Sequence, residues 1–167
     1  MRILGIDPGS QFMGWAVIES GSNSYRHVSS GVINSKDISA VPERLLFIYK
    51  EINAIIGTYR PDAAAIETVF FSKNQRSSFV LIQTATAAMI AVLNNGLSVN
   101  EYQPMIIKKA LTGYGKAGKE QVQIMVRRLL NIDVHMLMDR SDAMAVAICH
   151  INSVQFKDRL AEHAVSH

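Results

Sequence analysis

Two short apolar runs, at residues 2–6 and 63–66, each stop directly on an acid, Asp7 and Glu67. The first is broken by Asp7-Pro8-Gly9-Ser10, a strong turn signal, and the second restarts the chain after Pro61-Asp62. Both read as short buried strands that carry a carboxylate at their outgoing end. In open α/β sheets the ligand crevice lies outside the carboxyl ends of the strands. A chain with two acids so placed is constrained both in its fold class and in where its chemistry sits.

The pattern around these runs completes the architecture. Residues 14–19 and 27–34 read as two more strands, joined through Gly21-Ser22-Asn23-Ser24. Over residues 42–59 the apolar positions Leu45, Ile48, Tyr49, Ile52, Ile55 and Ile56 follow a helical period. After the second acid come an uncharged helix at 77–94, a short strand at 97–102, and helices at 104–111, 118–130 and 139–154. Three hairpin-linked strands followed by strand–helix alternation imply an α/β fold: a mixed sheet, antiparallel then parallel, flanked by helices on both faces. With 167 residues and no repeat or linker, residues 1–155 form one domain, and the mixed-charge tail at 156–167 frays.

No charged residue occurs from position 77 to 100. A membrane-spanning helix needs roughly 20 mostly apolar residues. Gln83, Thr84, Thr86, Asn94 and Asn95 interrupt this stretch, so the expectation is a helix buried in the core or across a subunit contact, with no membrane. The net charge of +3 and pI near 9.1 permit a polyanionic partner without requiring one. Cys149 is the single cysteine, which excludes an internal disulfide and a Cys-rich zinc site. The acid at position 7 comes too early for a signal peptide. Both observations fit a cytoplasmic protein.

Asp139 and Asp142 stand three apart at the start of the last helix and share one face. Judged alone, Asp7 also fits a turn former, Glu67 a strand–helix junction, and Asp139 with Asp142 an N-cap and a dipole partner. Together, four acids at element ends near one sheet edge repel one another unless cations neutralise them. Oxygen-only donors point to Mg²⁺ or Mn²⁺ rather than Zn²⁺. Two such ions about 4 Å apart activate water and stabilise the leaving oxygen of a phosphodiester. His27, His163 and His167 are scattered, His150 lies on an apolar helix, and His135 precedes Asp139 by four residues as a partner behind the ligands.

Lys108, Lys109, Lys116 and Lys119 cluster around Gly113-Tyr114-Gly115, where backbone amides and ammonium groups suit phosphate. Lys73 and Arg76 follow Phe70-Phe71, an aromatic pair beside a basic turn that suits unpaired bases as well as it suits a core.

At these residues the sequence resembles the RuvC family of crossover (Holliday) junction endonucleases. The resemblance covers residues 2–151 in three blocks: Leu4-Gly5-Ile6-Asp7-Pro8-Gly9-Ser10, then Ala65-Ile66-Glu67-Thr68-Val69-Phe70 with Lys73-Asn74. The third joins the stretch from Lys108 to Val122 to Asp139-Arg140-Ser141-Asp142-Ala143. It implies a ribonuclease-H-like fold, a homodimer with two active sites, and paired symmetric nicks in four-way DNA junctions during recombination and repair. It further implies that Asp7, Glu67, Asp139 and Asp142 are the metal-binding catalytic acids and that Phe70 intrudes at the crossover. Lys108 and Lys119 fall near the scissile phosphate, and the RuvA–RuvB branch-migration complex is the implied partner. The family's small, Gly-Gln-Ala-Arg-Gly-like stretch in the dimer helix is here Ile82-Gln83-Thr84-Ala85-Thr86. Alternatives are a ribonuclease-H-like nuclease acting on RNA–DNA hybrids or flaps, and a junction-binding module with a dead site. An actin-like ATPase needs two such lobes, which this length does not supply.

Overall fold

The computed structural model describes residues 1–21, 24–70, 75–132 and 140–165, with the backbone alone at 75–76 and 162–165. In chain order the elements are β1 (Arg2–Asp7), β2 (Phe12–Ser20), β3 (Tyr25–Asn34), α1 (Val41–Tyr59), β4 (Ala63–Glu67) and α2 (Gln75–Asn94). They continue as β5 (Val99–Tyr102), α3 (Pro104–Thr112), α4 (Lys119–Leu130) and α5 (Ser141–Val165). The sheet order is β3-β2-β1-β4-β5. β1 pairs antiparallel with β2 and β2 with β3, whereas β1 pairs parallel with β4 and β4 with β5. This is the mixed α/β sheet that the pattern of runs implies.

Side chains alternate across a strand, so each strand feeds two cores. Leu4, Ile6, Ala64 and Ile66 face one way, into a cluster with Ile48 and Ile52 of α1 and Ala88 and Val92 of α2. Ile3, Ala63 and Ala65 face the other way, into a cluster with Ile107 of α3, Val122 and Val126 of α4, and the buried stretch of α5. Helices therefore cover both faces of the sheet. The approach of α5 is set by small residues. A Cβ built on Gly5 would lie 2.1 Å from the Ala143 carbonyl oxygen and 2.9 Å from the Ala147 Cβ. Only glycine in β1 lets a helix pass that close.

Every element end but the last falls within about two residues of the sequence reading. β5 begins at Val99 rather than at residue 97, because residues 95–97 complete the end of α2. Gly96 adopts a left-handed φ of 73°, and the Leu97 N–H donates to the Val92 carbonyl. The last helix runs on to Val165, so residues 155–165 continue α5 instead of forming a frayed tail. No Gly or Pro follows position 141 to stop it. The window Ser77–Asn94 of α2 has mean hydropathy 1.5 and is long and apolar enough to cross a membrane. Its apolarity here serves two packing tasks. Ala85, Ala88, Ala91 and Val92 are buried against the sheet. Ile82, Thr86 and Ile90 instead line an apolar groove of about 450 Å³ with Leu45, Leu46 and Tyr49 of α1.

Candidate metal and nucleic-acid site

Register places the first two acids. Ile6 of β1 pairs with Ile66 of β4 in the parallel ladder, and one residue further on each strand ends on its acid. Asp7 and Glu67 thus emerge side by side at the carboxyl edge of the sheet. By the two-residue period both belong to the row that carries Ile3 and Gly5, or Ala63 and Ala65, on the face covered by α3, α4 and α5. Asp142 stands in the first turn of α5, directly before Ala143, the residue whose carbonyl lies over Gly5. The close passage of α5 over β1 is what brings Asp142 to the strand ends.

The three acids line one cavity of about 260 Å³. Its other walls are Pro104, Ile107 and Lys108 of α3, Lys119 and Val122 of α4, and Ala145 of α5. Lys119 Nζ lies 2.8 Å from Asp142 Oδ2. Burial, then the Asp142 and Glu67 carboxylates, push Asp7 up to about 7, with Lys119 opposing. Burial and then Asp142 also raise Glu67, against the pull of Lys108 and Lys119. Asp142 thus raises the proton affinity of both Asp7 and Glu67, and a hard divalent cation among the three carboxylates would relieve that repulsion. The donor chemistry therefore fits Mg²⁺ or Mn²⁺. Among the described residues no three His, Cys, Asp or Glu side chains stand close enough to share an ion, and Asp142 pairs with Lys119.

A second cavity of about 200 Å³ adjoins the same two strand ends and is lined by Asp7, Pro8, Glu67, Thr68, Val69, Phe70, Leu81 and Pro104. Phe70 is 57% exposed there, an aromatic ring presented beside the acids. Lys109 and Lys116 are exposed on α3 and on the turn after it, outside the acid cavity. Asp139, Lys73, Phe71 and His135 lie outside the described residues, as does the side chain of Arg76. His150 is only 5% exposed and hydrogen-bonds through Nδ1 with the Tyr102 hydroxyl at 2.8 Å, which makes it a core residue. The apolar walls Pro104, Ile107, Val122 and Ala145 are not singled out by the sequence. Their one signal is the proline that starts α3 two residues after β5, which turns that helix back across the strand ends.

A mixed sheet ordered β3-β2-β1-β4-β5, with acids at the ends of β1 and β4 and at the start of the last helix, defines a ribonuclease-H-like protein with a carboxylate site. The comparisons narrow this. The sequence model of the family described as "Crossover junction endodeoxyribonuclease RuvC" matches residues 3–150. The chain is 46% identical over 160 residues to the protein of that name from Geobacter metallireducens, covering 96% of this chain and 98% of the relative. Among solved structures it resembles "T. thermophilus RuvC in complex with Holliday junction substrate" with a TM-score of 0.85, at 29% identity, over 94% of this chain and 96% of that one. It also shares its fold with the yeast mitochondrial Holliday junction resolvase Ydc2 at a TM-score of 0.62, 10% identity, and coverage of 90% and 78%. The chain belongs to the RuvC family of crossover junction endodeoxyribonucleases.

Proposed function

We propose that this chain resolves four-way DNA junctions by divalent-metal-dependent phosphodiester hydrolysis, with Asp7, Glu67, Asp139 and Asp142 as the metal-holding acids. The observation that carries the reading is the convergence of Asp7, Glu67 and Asp142 with Lys108 and Lys119 on one cavity at the carboxyl edge of the sheet. Held by these acids, Mg²⁺ or Mn²⁺, two ions per site in this reading, would activate water and offset the charge that develops on the leaving oxygen. The protein's part is positional. The ends of β1 and β4 fix Asp7 and Glu67, and α5 brings Asp142 against them. Lys119 and Lys108 face the same space as cations for a phosphate, and Phe70 stands exposed where a base displaced from its stack would meet a ring. Lys109 and Lys116 add exposed cations for DNA outside the acid cavity, and Lys73 and Arg76 join them as DNA contacts on the strength of the sequence alone.

The working unit is a homodimer, since two symmetric nicks need two sites. Its interface is the α1–α2 groove, where Leu46, Phe79 and Ile90 are 53%, 61% and 46% exposed. A contiguous exposed apolar face of this kind marks a protein contact. In the cytoplasm the enzyme would act with a RuvA–RuvB branch-migration complex. Support for the substrate comes from the family and from the related Thermus protein, whose structure is described with a Holliday junction. The test is a synthetic mobile junction incubated with protein and Mg²⁺, beside an RNA–DNA hybrid and a flap. Paired symmetric nicks in the junction, lost in Asp7→Asn, are the expected result. Tight junction binding without cutting in any divalent metal, or a preference for the hybrid, would overturn it.

A further inference from the structure

The turn that follows Asp7 is held by its carbonyl groups. The Thr84 hydroxyl of α2 reaches the Gly9 carbonyl at 3.1 Å. Arg44 of α1 donates through Nη1 to the Ser10 carbonyl at 3.0 Å. Ser35 donates to the Gln11 carbonyl through its N–H at 2.8 Å and its hydroxyl at 3.1 Å. Three consecutive carbonyls, beginning two residues after the acid, thus each accept a bond from a different part of the fold. The turn also packs too tightly for a side chain at Gly9, since a Cβ there would lie 1.6 Å from the Phe12 carbonyl oxygen.

Two of these donors are built for the task. Thr84 is fully buried. Its single hydroxyl proton is shared between Gly9 and the Leu81 carbonyl one turn back at 2.9 Å, so the side chain is fixed from within its own helix. The Arg44 fork is anchored at its other end by Nε and Nη2 on the Ile38 carbonyl, at 3.1 and 2.6 Å. An anchored donor on each helix sets where the turn sits, and the turn sets where Asp7 leaves β1.

We infer that Thr84 and Arg44 are positioning residues for Asp7, holding its turn so that the carboxylate is preset for the divalent cation. This rests on the reading of the acids as a metal site. Neither residue touches the cavity that the acids line, so both act through the backbone.

The experiment is Mn²⁺ binding by calorimetry to the full chain without DNA, with thermal melting of each metal-free variant in parallel. Thr84→Val keeps the shape and removes the donor, Thr84→Ser keeps the hydroxyl, and Arg44→Lys keeps the charge and loses the fork. Losing one such bond is expected to raise the half-saturating Mn²⁺ concentration about threefold to tenfold in Thr84→Val and Arg44→Lys. Thr84→Ser should stay within about twofold of the parent. A purely structural role would lower the melting temperature and leave Mn²⁺ affinity unchanged. That result overturns the inference, as does equal weakening by Ser and Val. If Thr84→Val does not fold, Arg44→Lys decides by the same criterion. Should the parent protein bind Mn²⁺ and nick junctions while these variants bind equally well, the inference alone fails. Should the parent bind no Mn²⁺, the metal reading fails and takes the inference with it.

Discussion

Lys119 Nζ lies 2.8 Å from Asp142 Oδ2, and both side chains line the acid cavity. The two side chains are 65% and 31% exposed, so the pair is a weak one, worth at most about 1 kcal/mol. A pair of that strength orients Asp142 and would yield to a doubly charged cation. The same ammonium lowers the proton affinity of Asp7 and Glu67.

Replacing Lys119 with Met should therefore act twice. Both raised carboxylates lose a cation that opposes their rise, so the acidic limb of the pH–rate profile moves to higher pH. If Lys119 also meets the phosphate, as proposed, a donor would be lost as well, a change that commonly costs about 10²-fold or more in rate. Single-turnover junction cleavage measured across pH checks both effects. A fall in rate with an unmoved limb would show that Lys119 acts on the DNA alone.

The raised Asp7 also sets how the metal-free protein responds to pH. A carboxyl at about 7 in the fold, against 3.8 for the free group, binds more protons folded than unfolded between those values. Stability therefore falls as pH rises from about 4 to 7 and levels off above. Asp7→Asn removes that term, so its melting temperature should lack this part of the decline. At neutral pH the variant should be more stable than the parent by about 0.5–2 kcal/mol, while its cleavage is lost. Melting curves at several pH values in a chelator, with and without Mg²⁺ added back, test the sign. Mg²⁺ should stabilise the parent increasingly up to neutral pH and leave Asp7→Asn nearly unchanged.

Metal and protons compete for the same carboxylates, which gives a third expectation. The pH midpoint of cleavage should move down as Mg²⁺ is raised, because the cation displaces the proton from Asp7 and Glu67. A midpoint that ignores Mg²⁺ over a wide concentration range would assign the titration to some other group.

Much of this site is legible in the sequence because its positions follow from local rules. An acid after an apolar run announces a strand end, and the two-residue period then predicts which face it joins. What sequence spacing does not carry is distance across the fold. Asp142 reads equally well as a helix-dipole residue until Gly5 is seen to admit α5 at van der Waals range. Arg44 and Thr84 give no local signal, since their partners are carbonyls 34 and 75 residues away in sequence. The extent of α5 is misjudged for a different reason. Mixed charge after residue 154 suggests a solvated tail, yet a helix with no breaker continues into solvent as readily as a chain unwinds. Asp139 rests on the sequence alone, on its spacing from Asp142 and its place in the third block, because it lies outside the described residues.

The close contact at Gly5 makes a sharp prediction for Gly5→Ala. The added methyl meets the Ala143 carbonyl oxygen at 2.1 Å and the Ala147 nitrogen at 2.9 Å, both backbone atoms that cannot swing away. Helix α5 must shift off β1, at a cost of about 1–3 kcal/mol. Because Asp142 rides on the first turn of that helix, the shift also opens the acid cavity. Cleavage should fall further than the change in folded fraction explains, and Mn²⁺ affinity should fall with it. Calorimetry on the folded variant separates the two effects, and unchanged affinity in a destabilised protein would show that α5 tilts about its first turn instead of lifting there.

The α1–α2 groove supplies the last test, that of the dimer. Leu46 and Phe79 line it and are more than half exposed, so a charge at either position costs the isolated fold little. In a dimer closed over the groove the same charge would be buried without a partner, a penalty of several kcal/mol. Leu46→Glu and Phe79→Glu should each keep the parent's far-UV spectrum while shifting the molar mass by light scattering from two chains to one. Each monomer would retain its four acids, so junction nicks should continue at a reduced rate but lose their pairing. The readout is a supercoiled plasmid with an extruded cruciform, where one nick gives an open circle and two within one binding event give a linear product. Monomeric parent protein, or undiminished linear product from both variants, would place the second site elsewhere.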